Sequence, residues 1–157
     1  MIVVHAPIEA PADMVAVYEK SQPQWCVTKQ TIAAMSSAAD NVTAQLVAAL
    51  KVQRMWPNTV LVFSSDNGGD SRMSSNYPLR GRKRSFFEGG IRTPTFLNSP
   101  LLPAARTGGR VEEAFFHISD WYATFLYLAK SDNPGDSGPG RFPVDGRNIW
   151  PVVENPP

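Results

Sequence analysis

The sequence predicts an α/β fold, with a mostly parallel sheet flanked by helices, from two adjacent segments of a 157-residue chain. A long amphipathic helix is followed, after a short turn, by the continuous apolar run Thr59 to Phe63. A run without polar alternation is typical of a strand that is covered on both faces, as strands of parallel sheets are. Helix, turn and buried strand make half of a βαβ unit, and the α/β class follows from that order.

Two further elements precede the apolar run. Met1 to Val4 is short, apolar and rich in β-branched residues, so we expect a buried strand that stops at His5. Pro7 and Pro11 then predict a loop. The long helix is predicted from Thr28 to Gln53, because its apolar positions step by three and four residues. These positions are Ile32, Met35, Ala39, Val42, Leu46 and Leu50.

The elements after the apolar run are short and separated by long loops. A polar, glycine-rich stretch extends to about residue 90, and loops of that length are usually functional or disordered. Ile91 to Leu97 and Val111 to Phe116 are predicted strands, the first at a sheet edge because of Pro94. Ser119 to Ala129 predicts a helix with Ser119 or Asp120 as its cap.

Composition places a boundary near residue 130. Residues 131–141 are rich in glycine and proline, so residues 131–157 are predicted to be a flexible linker and tail. Residues 1–130 carry the predicted helices and strands and are expected to form one domain.

Charge and cysteine content exclude several classes of protein. The net charge of +1 produces no global field toward nucleic acid or an anionic membrane, so neither is an expected partner. The single cysteine, Cys26, excludes an internal disulfide and a cysteine-based zinc cluster. The first residues do not resemble a signal peptide, and the apolar runs are far shorter than the roughly 20 residues that cross a bilayer.

Asp66 and Asn67, directly after the apolar run, are the first candidate site residues. They lie just past the end of a predicted buried strand, where open α/β sheets place their ligands. Two adjacent oxygen-bearing side chains, followed by Gly68 and Gly69, suit a hard cation such as calcium or magnesium. Asp-Asn-Gly-Gly is also ordinary turn chemistry, so these residues alone leave a metal site and a plain turn open.

The run Arg80-Gly81-Arg82-Lys83-Arg84 is the second candidate, because four of its five residues are cations. Lysine holds an oxyanion by point charge and arginine holds it by its planar fork. A solvated basic loop and a heparin or nucleic-acid patch are the alternatives that this run leaves open.

The two histidines are unequal candidates. His5 follows a predicted strand, as Asp66 does, so it is a candidate acid, metal ligand or hydrogen-bond donor to an anion. The alternative is a polar residue at a strand end. His117 is interpreted as structural, and Asp120 as a helix cap.

Taken together, these segments are similar to the sulfatases. Asn58 to Gly69 resembles the strand and metal loop of that family. Tyr77 to Lys83, followed by Phe87 to Arg92, resembles its second signature, with the spacing of the arylsulfatase B-like branch. His117 to Trp121 and Val144 to Gly146 also match later segments of that branch. The resemblance covers essentially the whole chain in the family's order.

The resemblance implies a fold, a cofactor and specific residue roles. The fold would be part of the alkaline-phosphatase-like sulfatase fold with its N-terminal half missing, so residues 1–130 would be a partial catalytic domain. Asp66 and Asn67 would bind a divalent cation, usually calcium. Lys83 would contact the sulfate, and His5 would contact the sulfate or the leaving oxygen, which makes these two the expected catalytic and substrate-binding residues. The substrate would be a sulfate ester, either an aryl sulfate or a sulfated sugar.

One departure from the family pattern concerns the nucleophile. Sulfatases act through a formylglycine made from a cysteine in a Cys-x-Pro-Ser-Arg context, whereas Cys26 lies in Trp-Cys-Val-Thr-Lys. We therefore reject Cys26 as the nucleophile and expect these residues alone to be inactive. The alternative reading is a truncated, non-catalytic remnant that is poorly folded by itself and binds metal or sulfate weakly.

Two other readings are less favoured by the residues. A phosphatase or phosphodiesterase of the wider superfamily would need a Ser or Thr nucleophile and several Asp and His ligands, and the chain has two histidines. A basic nucleic-acid module is disfavoured because the cations cluster in one loop. Sulfatases are usually lysosomal or secreted, but the location of this chain is not predicted by its own residues.

Overall fold

In a computed structural model, residues 4–70, 73–104, 109, 114–131 and 144–155 are described, and the chain divides into two compact units. The first unit, Met1–Leu101, contains α1 (Ala12–Ser21), α2 (Val27–Val52), β1 (Leu61–Ser64), α3 (Glu88–Ile91) and β2 (Thr95–Asn98). The second unit, Leu102–Pro157, contains α4 (Asp120–Leu128) and α5 (Trp150–Glu154). This combination of helices and a small sheet confirms the α/β class.

The two described strands pair with each other in antiparallel register. Leu61 lies opposite Asn98 and Ser64 lies opposite Thr95. The parallel neighbour that the apolar run suggested is therefore not among the described strands, because a run of apolar residues indicates burial and does not encode the direction of its partner. Phe63 and Phe96 stack across the pair with ring centroids 5.1 Å apart. Phe63 is 37% exposed, so β1 is covered less completely here than its sequence predicted.

Helix α1 was missed by the sequence analysis, which predicted only a loop around Pro7 and Pro11. Pro11 directly precedes the first helical residue, and its carbonyl accepts the first helical hydrogen bond, from Val15 N, at 3.0 Å. Proline is tolerated at this end because the first backbone N–H groups of a helix have no partner within the helix. The Tyr18 hydroxyl joins α1 to α2 through Ser37 Oγ at 2.7 Å.

The long helix lies where it was predicted, and the strand after it begins two residues later than the predicted run and ends one residue later. Helix α2 differs from the predicted bounds by one residue at each end, and a 3₁₀ turn at Trp56–Asn58 leads into β1. The side of α2 that is buried carries mainly small or flexible residues, with Ala34 completely enclosed. Ser99 Oγ donates to the carbonyl of Thr59 at 2.7 Å, which fixes the start of β1 against the end of β2.

In the second unit, α4 packs against the segment that leads into α5. Thr124 is completely buried, and its hydroxyl accepts a hydrogen bond from Ile149 N at 3.0 Å. Ile149 and Trp150 are themselves buried. Arg147 and Ile149 of the predicted tail thus contact α4, while residues 132–143 lie outside the described residues. The boundary predicted after residue 130 stays a prediction.

Two predicted strands are only partly covered by the description. Residues 1–3 and 111–113 lie outside it, and the neighbouring Val4 and Ala114–Phe116 are not in strands. None of the helices in the described part of the chain combines the length and apolarity that a membrane span requires.

Candidate functional site

Strand β1 ends where the candidate metal residues begin. Ser65 N donates to the carbonyl of Pro94 at 3.1 Å, which continues the strand pairing by one residue. The hydroxyl of Ser65 donates to the carbonyl of Asn67 at 2.9 Å, so the backbone turns away from the sheet over these two residues. Asp66 is exposed and Asn67 is half-buried. The turn predicted for Asp-Asn-Gly-Gly is therefore present, and it carries both oxygen-bearing side chains.

Glycines hold this turn close to a second loop. Gly68 N donates to the carbonyl of Gly90 at 2.9 Å, and a Cβ on Gly68 would overlap the carbonyl oxygen of Gly89. A Cβ on Gly89 would lie 2.5 Å from the carbonyl oxygen of Gly81. No side chain larger than hydrogen fits between these backbones, so the two loops approach as closely as they do only because the residues are glycines.

Asn76 connects the same loops through its side chain, and the sequence analysis did not identify it. Gly69 N donates to Asn76 Oδ1 at 2.8 Å, and Asn76 Nδ2 donates to the Gly69 carbonyl at 2.9 Å. The same amide donates to the carbonyl of Gly81 at 3.3 Å. Because Asn76 lies within a polar stretch without periodicity, no local signal distinguished it from its neighbours.

The basic loop, Arg80 to Arg84, contacts the metal-candidate turn, Asp66 to Gly69, through its backbone. Lys83 N donates to the carbonyl of Gly69 at 3.1 Å. Gly89 N donates to the carbonyl of Arg80 at 2.7 Å, and the Arg80 guanidinium lies 4.1 Å from the ring centroid of Phe87. Lys83 is therefore positioned next to the turn that carries Asp66 and Asn67.

His5 and Lys83, which are 78 residues apart, meet through their side chains. Lys83 Nζ lies 3.4 Å from His5 Nε2, at the long end of hydrogen-bond distances. His5 Nδ1 lies 2.9 Å from the carbonyl oxygen of Ala6. A neutral imidazole with its proton on Nδ1 satisfies both contacts, because Nδ1 then donates to Ala6 and Nε2 accepts from the ammonium of Lys83.

A groove of about 340 Å³ lies beside His5. Its lining includes the apolar Met35 and Pro7 and the acidic residue Glu9. His5 thus borders open space on one side and contacts Lys83 through its Nε2 atom. A small ligand bound at His5 has room to extend along this groove.

The oxygen ligands for a cation are incomplete within the described residues. Asn67 Nδ2 donates to the Gly68 carbonyl at 3.1 Å, which leaves Asn67 Oδ1 available as a ligand beside the exposed carboxylate of Asp66. No group of three His, Cys, Asp or Glu side chains converges anywhere in the described ranges. Calcium takes about 6–8 oxygens, so the donor chemistry of Asp66 and Asn67 fits a hard cation but supplies a minority of its ligands.

His117 and Asp120 brace the second unit. Asp120 Oδ2 accepts a hydrogen bond from His117 N, and Oδ1 accepts one from Arg147 N, each at 2.8 Å. Burial acts to raise the pKa of Asp120. The two backbone N–H groups and the positive charges of His117 and Arg147 outweigh it, so the pKa lies below its usual value. Ser119 occupies the N-cap of α4 without a side-chain cap hydrogen bond, and Asp120 is the first helical residue, so the interpretation of Asp120 as the cap is wrong. Asp120 instead tethers the segment before α5 to the start of α4.

Cys26 immediately precedes the first residue of α2 and is exposed. Its neighbour Trp25 stacks on Tyr18 and lies under the Lys29 ammonium at 4.0 Å. Cys26 thus belongs to the α1–α2 connection, and no contact in the described chain joins it to Lys83 or Asp66.

Comparison with known proteins shows that most of the chain is similar in sequence to sulfatases. The family described as Sulfatase matches residues 2–131. Arylsulfatase J of Mus musculus is 35% identical over 96% of this chain and 23% of its own length. A sulfatase of Formosa agariphila is 32% identical over 66% of this chain and 18% of its own length.

A solved structure extends the comparison to the fold. The crystal structure of Ps i-CgsB in complex with k-i-k-neocarrahexaose superposes with a TM-score of 0.77 at 32% identity. The superposition includes 97% of this chain and 32% of the Ps i-CgsB chain. The chain thus spans about a third of this structure and 23% or less of the two curated relatives.

Proposed function

Because this chain belongs to the sulfatase family, we propose that its first unit forms the sulfate-holding and cation-holding part of a site that hydrolyses sulfate esters. The proposal rests on the contact between Lys83 Nζ and His5 Nε2, beside the turn that carries Asp66 and Asn67. Two nitrogen groups that converge from distant parts of the chain are suited to the oxygens of one anion.

Lys83 and His5 take different parts in this proposal. The ammonium of Lys83 carries three donors and one charge, so it holds sulfate oxygens in the ground state and in the transition state. His5 accepts from Lys83 while neutral. Once its Nε2 is protonated, it donates instead to the sulfate or to the oxygen of the leaving alcohol. The hydrogen bond of Nδ1 to the Ala6 carbonyl keeps the ring oriented for both states.

Asp66 and Asn67 are the proposed cation ligands. A divalent cation bound there would polarise the sulfate and offset its negative charge. The two side chains follow directly from β1, and the glycine contacts of Gly68 fix the backbone between them and the basic loop. Because they supply a minority of the oxygens that calcium takes, we expect weak binding by these residues alone.

A sulfated sugar is the better candidate for the ester than an aryl sulfate. Ps i-CgsB, which is similar to this chain in fold and sequence, is crystallised with the sugar k-i-k-neocarrahexaose.

A binding module without turnover is the second candidate, and the position of Cys26 favours it. Cys26 lies in the connection between α1 and α2, in a context unlike that of a formylglycine precursor. No other cysteine occurs in the 157 residues. We therefore expect these residues to bind sulfate without splitting the ester.

The test is calorimetric titration of the chain with inorganic sulfate and with 4-nitrophenyl sulfate, with calcium and with chelator. We expect weak binding that falls about tenfold in Lys83→Ala, because one charge-assisted contact is lost. Lys29→Ala is the matched control, since Lys29 is an exposed cation that stacks on Trp25. Equal affinity of Lys83→Ala and the unmodified chain would refute the sulfate site.

Turnover of 4-nitrophenyl sulfate decides between the two candidate functions. Calcium-dependent release of nitrophenol that is abolished by Asp66→Ala or Lys83→Ala would show that the chain itself supplies a nucleophile. Binding without release above a denatured blank would support the binding module.

A further inference from the structure

Arg84 lies in a turn whose geometry favours glycine. Ser85 N donates to the Arg82 carbonyl at 2.9 Å, which closes a four-residue turn with Lys83 and Arg84 at its centre. The φ angle of Arg84 is +72°, and a positive φ at the third position is the pattern of a type II turn. Glycine or asparagine usually occupies that position, because an L-residue with a Cβ is strained there.

The turn is closed firmly, so Arg84 cannot easily relax out of this conformation. Arg82 N donates to Ser85 Oγ at 2.9 Å, and Ser85 Oγ donates back to the Arg82 carbonyl at 2.8 Å. Lys83 N is held by Gly69 at 3.1 Å. The backbone therefore holds Arg84 in a left-handed conformation directly beside the residue proposed to hold sulfate.

Arg84 lacks the internal contacts that other cations of this region have. Arg80 lies over the Phe87 ring, and Arg92 pairs with Glu88 at 3.4 Å. Lys83 contacts His5. Arg84 is exposed, and no residue in the described part of the chain forms a hydrogen bond, ion pair or ring contact with its side chain. Nothing within the described chain thus compensates its charge or explains an arginine at a strained position.

We propose that Arg84 binds a second anionic group of the substrate, so that the site takes a sulfated saccharide with at least two negative charges in preference to a singly charged sulfate ester. Consecutive Cα atoms are about 3.8 Å apart, so Lys83 and Arg84 can reach anionic groups on one sugar or on two adjacent sugars. The planar fork of arginine fits a sulfate or carboxylate through two parallel hydrogen bonds. This inference rests on the proposed sulfate site at Lys83.

The test compares two ligands that differ by one sulfate: a galactose disaccharide with two sulfate esters and the same disaccharide with one. Affinities are measured by calorimetry with calcium at constant physiological ionic strength, because salt screens exposed charges. We expect the chain to bind the disulfated sugar about tenfold more tightly than the monosulfated one. Arg84→Gly should abolish that preference and leave affinity for the monosulfated sugar unchanged within about twofold.

Arg54→Gly is the matched control. Arg54 is also an exposed arginine of the first unit with positive φ, at +56°, and it lies in the turn after α2. Replacing either arginine by glycine removes one charge and relieves the same backbone strain. The preference should persist in Arg54→Gly and, at reduced strength, in Arg84→Lys.

The possible failures are distinguishable. A preference that survives Arg84→Gly, or falls equally in Arg54→Gly, would overturn the inference while leaving the sulfate site intact. If Lys83→Ala no longer binds either sugar and Arg84→Gly still prefers the disulfated sugar, the preference would be assigned to Lys83. Tighter binding of a single-stranded DNA oligonucleotide than of the disulfated sugar, dependent on Arg84, would assign the turn to nucleic acid. Failure of the unmodified chain to bind either sugar would overturn the sulfate site and this inference together.

Discussion

Some single residues connect two distant segments of the chain through two separate contacts, and Lys83 is an example. Its backbone N–H is bound to Gly69 and its side chain reaches His5, so the ammonium is placed by two distant segments at once. Asp120 has the same character in the second unit, because one carboxylate accepts hydrogen bonds from His117 N and Arg147 N. In both cases one side chain links parts of the chain that local structure would leave apart.

The lowered pKa of Asp120 predicts a specific loss of stability in acid. In the unfolded chain an aspartate has a pKa of about 3.9, so the unfolded chain takes up this proton first as the pH falls. The stabilisation from Asp120 is therefore fully present above that value and is lost as the pH falls through the folded pKa. Denaturant unfolding followed by tryptophan fluorescence between pH 7 and acid should show this decline.

Substitution of Asp120 separates its contribution from the general effect of acid. Asp120→Ala should lower the free energy of unfolding at neutral pH by about 1–2 kcal/mol, because two hydrogen bonds to a charged group are lost where water can partly replace them. Asp120→Asn, which keeps one acceptor, should lose less. An acid decline of the same size in Asp120→Ala as in the unmodified chain would contradict the assignment.

At the scale of elements, the site depends on how two loops pack between β1 and β2. The metal-candidate turn follows β1. The basic loop is followed by α3, whose Gly89 and Gly90 contact the turn directly. Asn76 adds hydrogen bonds to Gly69 and Gly81. Backbone contact without intervening side chains makes the spacing of these loops insensitive to rotamer motion and very sensitive to any added atom.

Gly68→Ala should therefore separate the two loops. Its Cβ would overlap the Gly89 carbonyl oxygen, so we expect the free energy of unfolding to fall by about 3 kcal/mol, near the top of the range for overpacking. Sulfate affinity should fall with it, because Lys83 moves relative to Asp66. Denaturant titration and sulfate calorimetry measure the two effects.

Gly109→Ala is the comparison for this prediction. Gly109 has a positive φ of +73°, but no atom of the described residues lies within 4 Å of a Cβ built there. We expect a cost of about 1 kcal/mol from conformation alone and no change in sulfate affinity. If the two substitutions lower the free energy of unfolding equally, the close loop contact at Gly68 is not the cause of the destabilisation.

At the scale of the whole molecule, much apolar surface is exposed for a chain of this size. The stacked pair Phe63 and Phe96 is 37% and 48% exposed on one side of the sheet. Within the described residues the sheet has two strands, so both of its edges present backbone donors and acceptors that favour pairing with other chains. Together, the exposed aromatic pair and the sheet edges favour self-association of the isolated chain.

We expect the isolated chain to associate as its concentration rises, and Phe63→Thr with Phe96→Thr to reduce that association. Threonine retains β-propensity while removing the aromatic surface. Sedimentation velocity across a concentration series measures the effect. Phe86→Thr is the control, because Phe86 is 96% exposed and lies in the loop before α3, outside both strands. A chain that remains monomeric at every concentration would contradict the prediction.

Local patterns in the sequence were sufficient for the long helix, for the strand after it and for the family, but not for α1. The three- and four-residue spacing of apolar side chains predicted α2 to within one residue at each end, and the apolar run predicted β1. Both are properties of residues close together in the chain, where side-chain periodicity alone indicates which face is buried. The two motifs that resemble sulfatases likewise lie in continuous segments, and the family match across residues 2–131 confirms that reading.

Only the tertiary structure decided which of these segments meet. The contact of His5 with Lys83 spans 78 residues, the antiparallel pairing of β1 joins it to β2, and Asn76 bonds to loops on both sides. Such contacts leave no periodic signal, because they depend on the path of the whole chain. The strained turn at Arg84 is likewise invisible in the letters Arg-Lys-Arg-Ser: they predicted a basic loop, while the backbone conformation that singles out one arginine is imposed by contacts from Gly69 and Ser85.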